Sequence, residues 1–152
     1  MAQDSPAPIT SERFEEAWSQ QPLTRAMGWK RLISWDPDTH TLRALFEVRP
    51  EFCHTRGTIA QGGFVTAWLD ASMAQAMMRD THFESNVATL ELKVSFLKAV
   101  GQGEVLTEAR VIKRGRRVAF MEASLFSADG AELLATATST GLVVPFVTEE
   151  SA

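Results

Sequence analysis

Apolar residues recur along this chain with two different periods, and the changes of period mark its elements. Phe14, Ala17 and Trp18 fall at helical spacing within Glu12 to Trp18. Thr10 or Ser11 can cap that helix, with acids in its first turns where the dipole favours them. Pro22 ends it, and Leu23 to Met27 adds one more turn. Trp29 to Trp35 reads as a strand and Asp36 to Thr39 as a turn. In the next strand, His40 to Val48, Leu42, Ala44, Phe46 and Val48 share one face against Thr41, Arg43 and Glu47. Glu51 to Gln61 is a loop, and Gly62 to Met78 a long helix, apolar on nearly every side. Beyond Arg79 and Asp80 the period becomes two. Ala88, Leu90, Leu92, Val94 and Phe96 alternate with Thr89, Glu91, Lys93 and Ser95, which places the first set inside. Glu104–Lys113, Arg117–Ser127 and Ala131–Val144 complete the strands, divided by Gly115 and by the hairpin signal Asp129-Gly130. The expectation is an α+β fold, an antiparallel sheet curled around one long helix with a short N-terminal helix. Residues 1–9 read as a loose tail and 10–152 as a single domain.

Within the stretch from Gly57 to Met78, Asp70 is the one charged residue. Burying a lone carboxylate is costly unless it is paired, hydrogen-bonded or used in chemistry. Ahead of it, Gly62 and Gly63 open the helix, where backbone N–H groups lack intrahelical partners and can face a ligand. A carboxylate two turns beyond a glycine-rich helix start suits acyl transfer. Asp70 could instead be structural, bonded to backbone or to Ser72 and Thr66.

Charge and composition narrow the partners. A net charge of -4 over 152 residues offers no broad basic surface, so nucleic acid is not expected as a partner. Cys53 stands alone and cannot form an internal disulfide, which, with no apolar stretch behind a basic N-terminus, places the chain in the cytoplasm. Asp70 and Gln75 make the long helix a poor membrane span, so no membrane is expected. His40 and His82 lack metal-ligand spacing and Cys53 lacks a matched histidine, so neither a metal site nor a cysteine nucleophile is expected.

The run Gly57-Thr58-Ile59-Ala60-Gln61-Gly62-Gly63-Phe64-Val65-Thr66-Ala67-Trp68-Leu69-Asp70, followed by the strand Ala88 to Ala99, resembles the hotdog-fold acyl-CoA thioesterases. The branch it resembles contains the phenylacetyl-CoA and 4-hydroxybenzoyl-CoA types, and the likeness runs from Gly28 to Val144. The resemblance implies hydrolysis of an aryl- or fatty-acyl-CoA to free acid and coenzyme A, which is substrate rather than cofactor. No cofactor is implied. Asp70 takes the place of the catalytic carboxylate, as nucleophile or general base, and Gly62 that of the N–H that polarises the carbonyl, with Gly63 beside it. Gln61 replaces the family's histidine; it does not titrate near neutral pH but can still accept or donate a hydrogen bond, and is expected with Thr89 to position the reacting groups. Thr55, with His54 adjacent, falls where the family has an asparagine, and Thr89 where some members hold the attacking water.

The basic turn Arg114, Arg116 and Arg117 is a candidate for the phosphates of coenzyme A, and Phe64, Trp68 and Phe83 are candidate pocket walls. By resemblance the site forms between subunits of a homodimer, Asp70 of one chain near Thr89 and the basic turn of another, and dimers pair into a homotetramer. Two alternatives stand beside hydrolysis. One is a hotdog hydratase or dehydratase, against which the lack of a helix histidine counts. The other is an acyl-CoA-binding protein that does not cleave.

Overall fold

The structure, a computed structural model, describes residues 8–146. Most of the expected tail (1–7) and the last six residues (147–152) lie outside the described residues. Helix α1 (Ser11–Gln20) is capped by Thr10, whose Oγ1 accepts from the N–H of Arg13. Pro22 opens the short α2 (Pro22–Ala26), as a first-turn proline can. Strands β1 (Trp29–Asp36) and β2 (Thr41–Val48) follow, then a 3-10 turn (Pro50–Phe52). The expected loop contains a small hairpin, β3 (Cys53–His54) and β4 (Ile59–Ala60), leading into α3 (Gly62–Asp80). Strands β5 (Ser85–Phe96), β6 (Gly103–Arg114), β7 (Val118–Ser127) and β8 (Leu133–Pro145) complete the chain. Six strands form one antiparallel sheet in the order β1-β2-β6-β7-β8-β5. It folds around α3, which packs on β2, β5, β6, β7 and β8.

The core is the contact between that helix and the concave face of the sheet. Trp68, Leu69, Met73, Ala76 and Met77 are buried against Leu42, Phe46, Ala109, Met121 and Leu125. The Trp68 indole N–H donates to the Met27 carbonyl at 2.8 Å, tying α2 to the helix. The sheet covers α3 on one side only. Gly63 is exposed, and Ala67, Asp70, Ala71 and Ala74 are half-buried, a stripe at helical spacing that the sheet leaves uncovered.

Strand β5 departs from simple alternation, and the departure places a functional side chain. Its pairing with β8 runs Thr89 opposite Gly141 and then Glu91 opposite Thr140, so Leu90 is an extra residue in a bulge. The bulge inverts the parity of the strand. Val87 lies on the core side before it, Leu92 and Val94 after it. Ala88 and Leu90, expected inside, are exposed, Leu90 by 63%. Thr89, expected outside, turns toward the helix. Two residues of β8 shape this spot. Gly141 has no side chain because a methyl there would collide with Cγ2 of Val87. The buried Ser139 donates its hydroxyl to the Glu91 carbonyl at 3.0 Å, beside the bulge.

Candidate active site

Asp70 is half-buried on the open stripe of α3, and its Oδ1 accepts the hydroxyl proton of Thr89 at 2.8 Å. Among the described residues its carboxylate has no cation within ion-pairing distance and no other hydrogen bond. The structural alternatives raised from the sequence are engaged elsewhere. Thr66 donates to the Gly62 carbonyl at 2.8 Å, and Ser72 pairs with Thr107 at 2.7 Å. One carboxylate oxygen is therefore held in place while the other is open. With its proton committed to Asp70, the Thr89 oxygen can accept from a water, which sets that water beside a base. Thr89 comes from the same chain as Asp70, not from a second chain as the resemblance implied. Thr89→Val keeps the shape and removes the donor. A fall in kcat of about ten-fold, recovered in Thr89→Ser and with KM little changed, is expected from steady-state kinetics.

At the start of the helix the two glycines differ. Gln61 is the N-cap, and its side-chain oxygen accepts the Gly63 N–H at 2.6 Å. The Gly62 N–H has no acceptor among the described residues. Gln61 thus supports the helix start, and Gly62 carries the free donor. Along the axis, Gly62 and Asp70 are about 12 Å apart, eight residues at 1.5 Å each.

The β3–β4 hairpin brings His54 into the same cavity as that donor, with Thr55 beside it in the chain. Thr55, Arg56 and Gly57 are all left-handed, at φ 51, 58 and 79. Such a conformation is costly for a β-branched threonine, and strain of this kind gathers at functional sites. The His54 ring is fixed by a 2.7 Å hydrogen bond between Nδ1 and the Thr55 hydroxyl. A cavity of about 360 Å³ is lined by His54, Gly62, Phe96 and Lys98 among others. Across the glycine pair lies an apolar cavity of about 310 Å³, with Gly63, Phe64 and Ala67 in its wall.

Other expected site residues fall elsewhere. Phe83 stacks on Phe14 at 4.5 Å beyond the far end of α3, so it is no wall of these cavities. Trp68 is fully buried behind Phe64 rather than lining them. Arg114 is engaged, its Nε 2.7 Å from Asp80, whose other oxygen lies 2.5 Å from His40. This clamp offsets a carboxylate at the unfavourable end of the helix dipole, and it takes Arg114 away from any phosphate. Arg116 and Arg117 are exposed, and no ion pair engages them among the described residues. Burial pushes the Cys53 thiol above its ordinary range, which makes it a poor nucleophile. No group of three or more metal-ligating side chains comes together among the described residues.

A six-stranded antiparallel sheet rolled around one long helix, with a carboxylate on the helix and a bare amide at its start, defines a hotdog protein. A sequence model of the Thioesterase superfamily matches residues 57–134, more than half of the chain, and the chain belongs to that superfamily. Solved structures agree. A phenylacetic acid degradation-related protein of Ralstonia eutropha, described as a candidate thioesterase, superposes with TM-score 0.76 at 26% identity, over 86% of this chain and 97% of that one. A Haemophilus influenzae thioesterase shares the fold at TM-score 0.77 and 16% identity, over 93% and 94% of the two chains. Zebrafish thioesterase superfamily member 2 does so at 0.75 and 19%, over 88% and 98%. No curated protein sequence matches the chain. Family and neighbours support acyl-CoA thioester hydrolysis as the activity. No helix among the described residues is long and apolar enough to cross a membrane.

Proposed function

We propose that this protein hydrolyses acyl-CoA thioesters to a free carboxylic acid and coenzyme A, in a site built from two copies of the chain. The observation that carries the reading is Asp70, held by Thr89 on one oxygen and, among the described residues, without a partner on the other. Catalysis requires a carboxylate and an N–H donor within about 3 Å of the same reacting carbonyl. Roughly 12 Å of helix between Gly62 and Asp70 forbids that within one chain. A second copy supplies the missing half, with Asp70 and Thr89 of one chain facing Gly62 and the His54–Thr55 loop of the other. The uncovered helix stripe and the free edge of β5, with Leu90, Phe96 and Leu97 exposed, support such self-association.

The Gly62 N–H draws charge onto the thioester oxygen. Asp70 either takes a proton from the water held by Thr89 or attacks the carbonyl carbon itself. In the first route the water oxygen bonds to carbon, the C–S bond breaks, and the proton passes to sulfur. In the second the Asp70 oxygen bonds to carbon and the C–S bond breaks to release the thiolate; water then opens the mixed anhydride, which frees the acid and the Asp70 carboxylate, and a proton from that water passes to the sulfur. Arg116 and Arg117 are proposed for the phosphates of coenzyme A, and pairing of dimers and a cytoplasmic location remain part of the reading. The test is thiol release from acetyl-, octanoyl-, phenylacetyl- and palmitoyl-CoA. Release from at least one is expected. Hydration of crotonyl-CoA without thiol, or tight binding without turnover, would replace this reading by a hydratase or a binding protein.

A further inference from the structure

The geometry points to the apolar cavity between α2 and the start of α3 as the pocket for the acyl group, with Ala26 and Met27 setting the acyl size. This deepens the reading above and rests on it for the position of the thioester. Gly62 and Gly63 separate two unlike cavities. On the Gly62 side the lining is mixed, His54 and Lys98 beside Ile59, Val65 and Phe96, which suits the pantetheine arm with its amides and methylenes. On the Gly63 side the walls are Leu23, Ala26, Met27, Phe64 and Ala67. Among the described residues the one polar side chain in that wall is Gln61, whose oxygen is already taken by the Gly63 N–H. A carbonyl oxygen on the Gly62 N–H lies between the two, and the apolar substituent is favoured on the apolar side.

Size follows from volume. An apolar cavity of about 150 Å³ holds benzene. The cavity here is about 310 Å³. The cavity is open on one side, with Leu23 69% exposed and Ala26 exposed, so an aromatic ring on a short arm or a chain of roughly eight carbons fills it, and the rest of a chain of about sixteen extends past its walls. Its wall is fixed rather than loose, because the Met27 carbonyl is held by the Trp68 indole at 2.8 Å.

The experiment measures binding of non-hydrolysable acyl-CoA thioether analogues with two-, eight- and sixteen-carbon chains by calorimetry, on the full chain. The eight-carbon analogue is expected to bind about ten-fold or more tightly than the two-carbon one, with no further gain at sixteen. Ala26 is exposed, so Ala26→Phe fills the cavity with little risk to the fold and is expected to erase that gain. Met27→Ala enlarges the cavity and should move the optimum to longer chains, which keeps the test decisive if the first variant does not fold. A flat profile in the parent, or one unchanged in both variants, overturns the inference. So does weakened self-association of Ala26→Phe with the profile intact, which would make a second copy the occupant. Chain-selective binding without thiol release from the matching thioesters would leave the pocket standing and remove hydrolysis. Thiol release with a flat binding profile would do the reverse.

Discussion

Asp70→Asn should lower thiol release by about 10³-fold or more while the protein melts within a few degrees of the parent. The substitution is isosteric, and its side-chain oxygen can still accept the Thr89 hydroxyl that Asp70 holds at 2.8 Å. Asp70 has no ion-pair partner among the described residues, so its removal strands no buried cation. What disappears is the charge, and with it both routes to the thioester, since an amide is neither base nor nucleophile at neutral pH. Parallel thiol assays and melting curves on the same preparations separate the cases. Activity that falls only in step with stability would mark Asp70 as structural.

The largest expected loss of stability lies at the other end of the helix, at Glu15. The Arg79 side chain is 2% exposed, and it pairs with Glu15 while also donating to Ser11 at 2.7 Å. Gln75 donates to the same Glu15 oxygen at 3.2 Å, and the guanidinium lies 5.5 Å from the centre of the Phe14 ring. Glu15→Ala leaves that cation enclosed and uncompensated, at a cost of about 3 kcal/mol in denaturant unfolding. Glu15→Gln, which can still accept, should cost clearly less. Burial raises the Glu15 pKa above 4.5, against the pull of Arg79. The contribution from its protonation is therefore complete below 4.5 and fades as pH rises through the raised value. Acid does not weaken the fold through this group. Asp129 has the opposite sign: the Ser127 hydroxyl and the Ala131 N–H hold its pKa below 3.8. Its contribution is present above 3.8 and is lost as pH falls through the lowered value.

Much of this architecture is written in local patterns. The Thr10 cap, the acidic first turn, the alternation of Leu42 to Val48 and the uncharged run around Asp70 each dictate an element, and the elements formed as expected. Period-two reading failed at β5 because a bulge adds one residue, and counting by twos then assigns every earlier side chain to the wrong face. A signal existed in Gly141, an isolated glycine in a strand pattern, but it lies on the neighbouring strand. Phe83 lies away from the expected pocket for a different reason. His82 and Phe83 are both left-handed, at φ 52 and 64, and that turn carries the ring to Phe14. The Asp80 partner of Arg114 and the cavity wall offered by α2 are long-range contacts with no local signature. The capping role of Gln61, whose side chain accepts the Gly63 N–H, has no mark of its own in the sequence.

Complementation between two inactive variants tests the two-copy site directly. Gly62→Pro removes the N–H at a position whose backbone suits proline, since Gly62 is the first residue of α3 and Gln61 before it is extended at ψ 137; the added Cβ meets the Phe96 ring at 3.2 Å, a solvent-exposed side chain with room to shift. Alone, Gly62→Pro and Asp70→Asn should each be nearly inactive. Unfolded together and refolded at equal concentration, half of the dimers contain one of each chain, and each of those holds one intact site. Recovery of about a quarter of the parent's thiol release is the predicted result. A mixture no more active than its components would contradict the account, because Asp70 and Gly62 would then not serve one thioester from opposite chains.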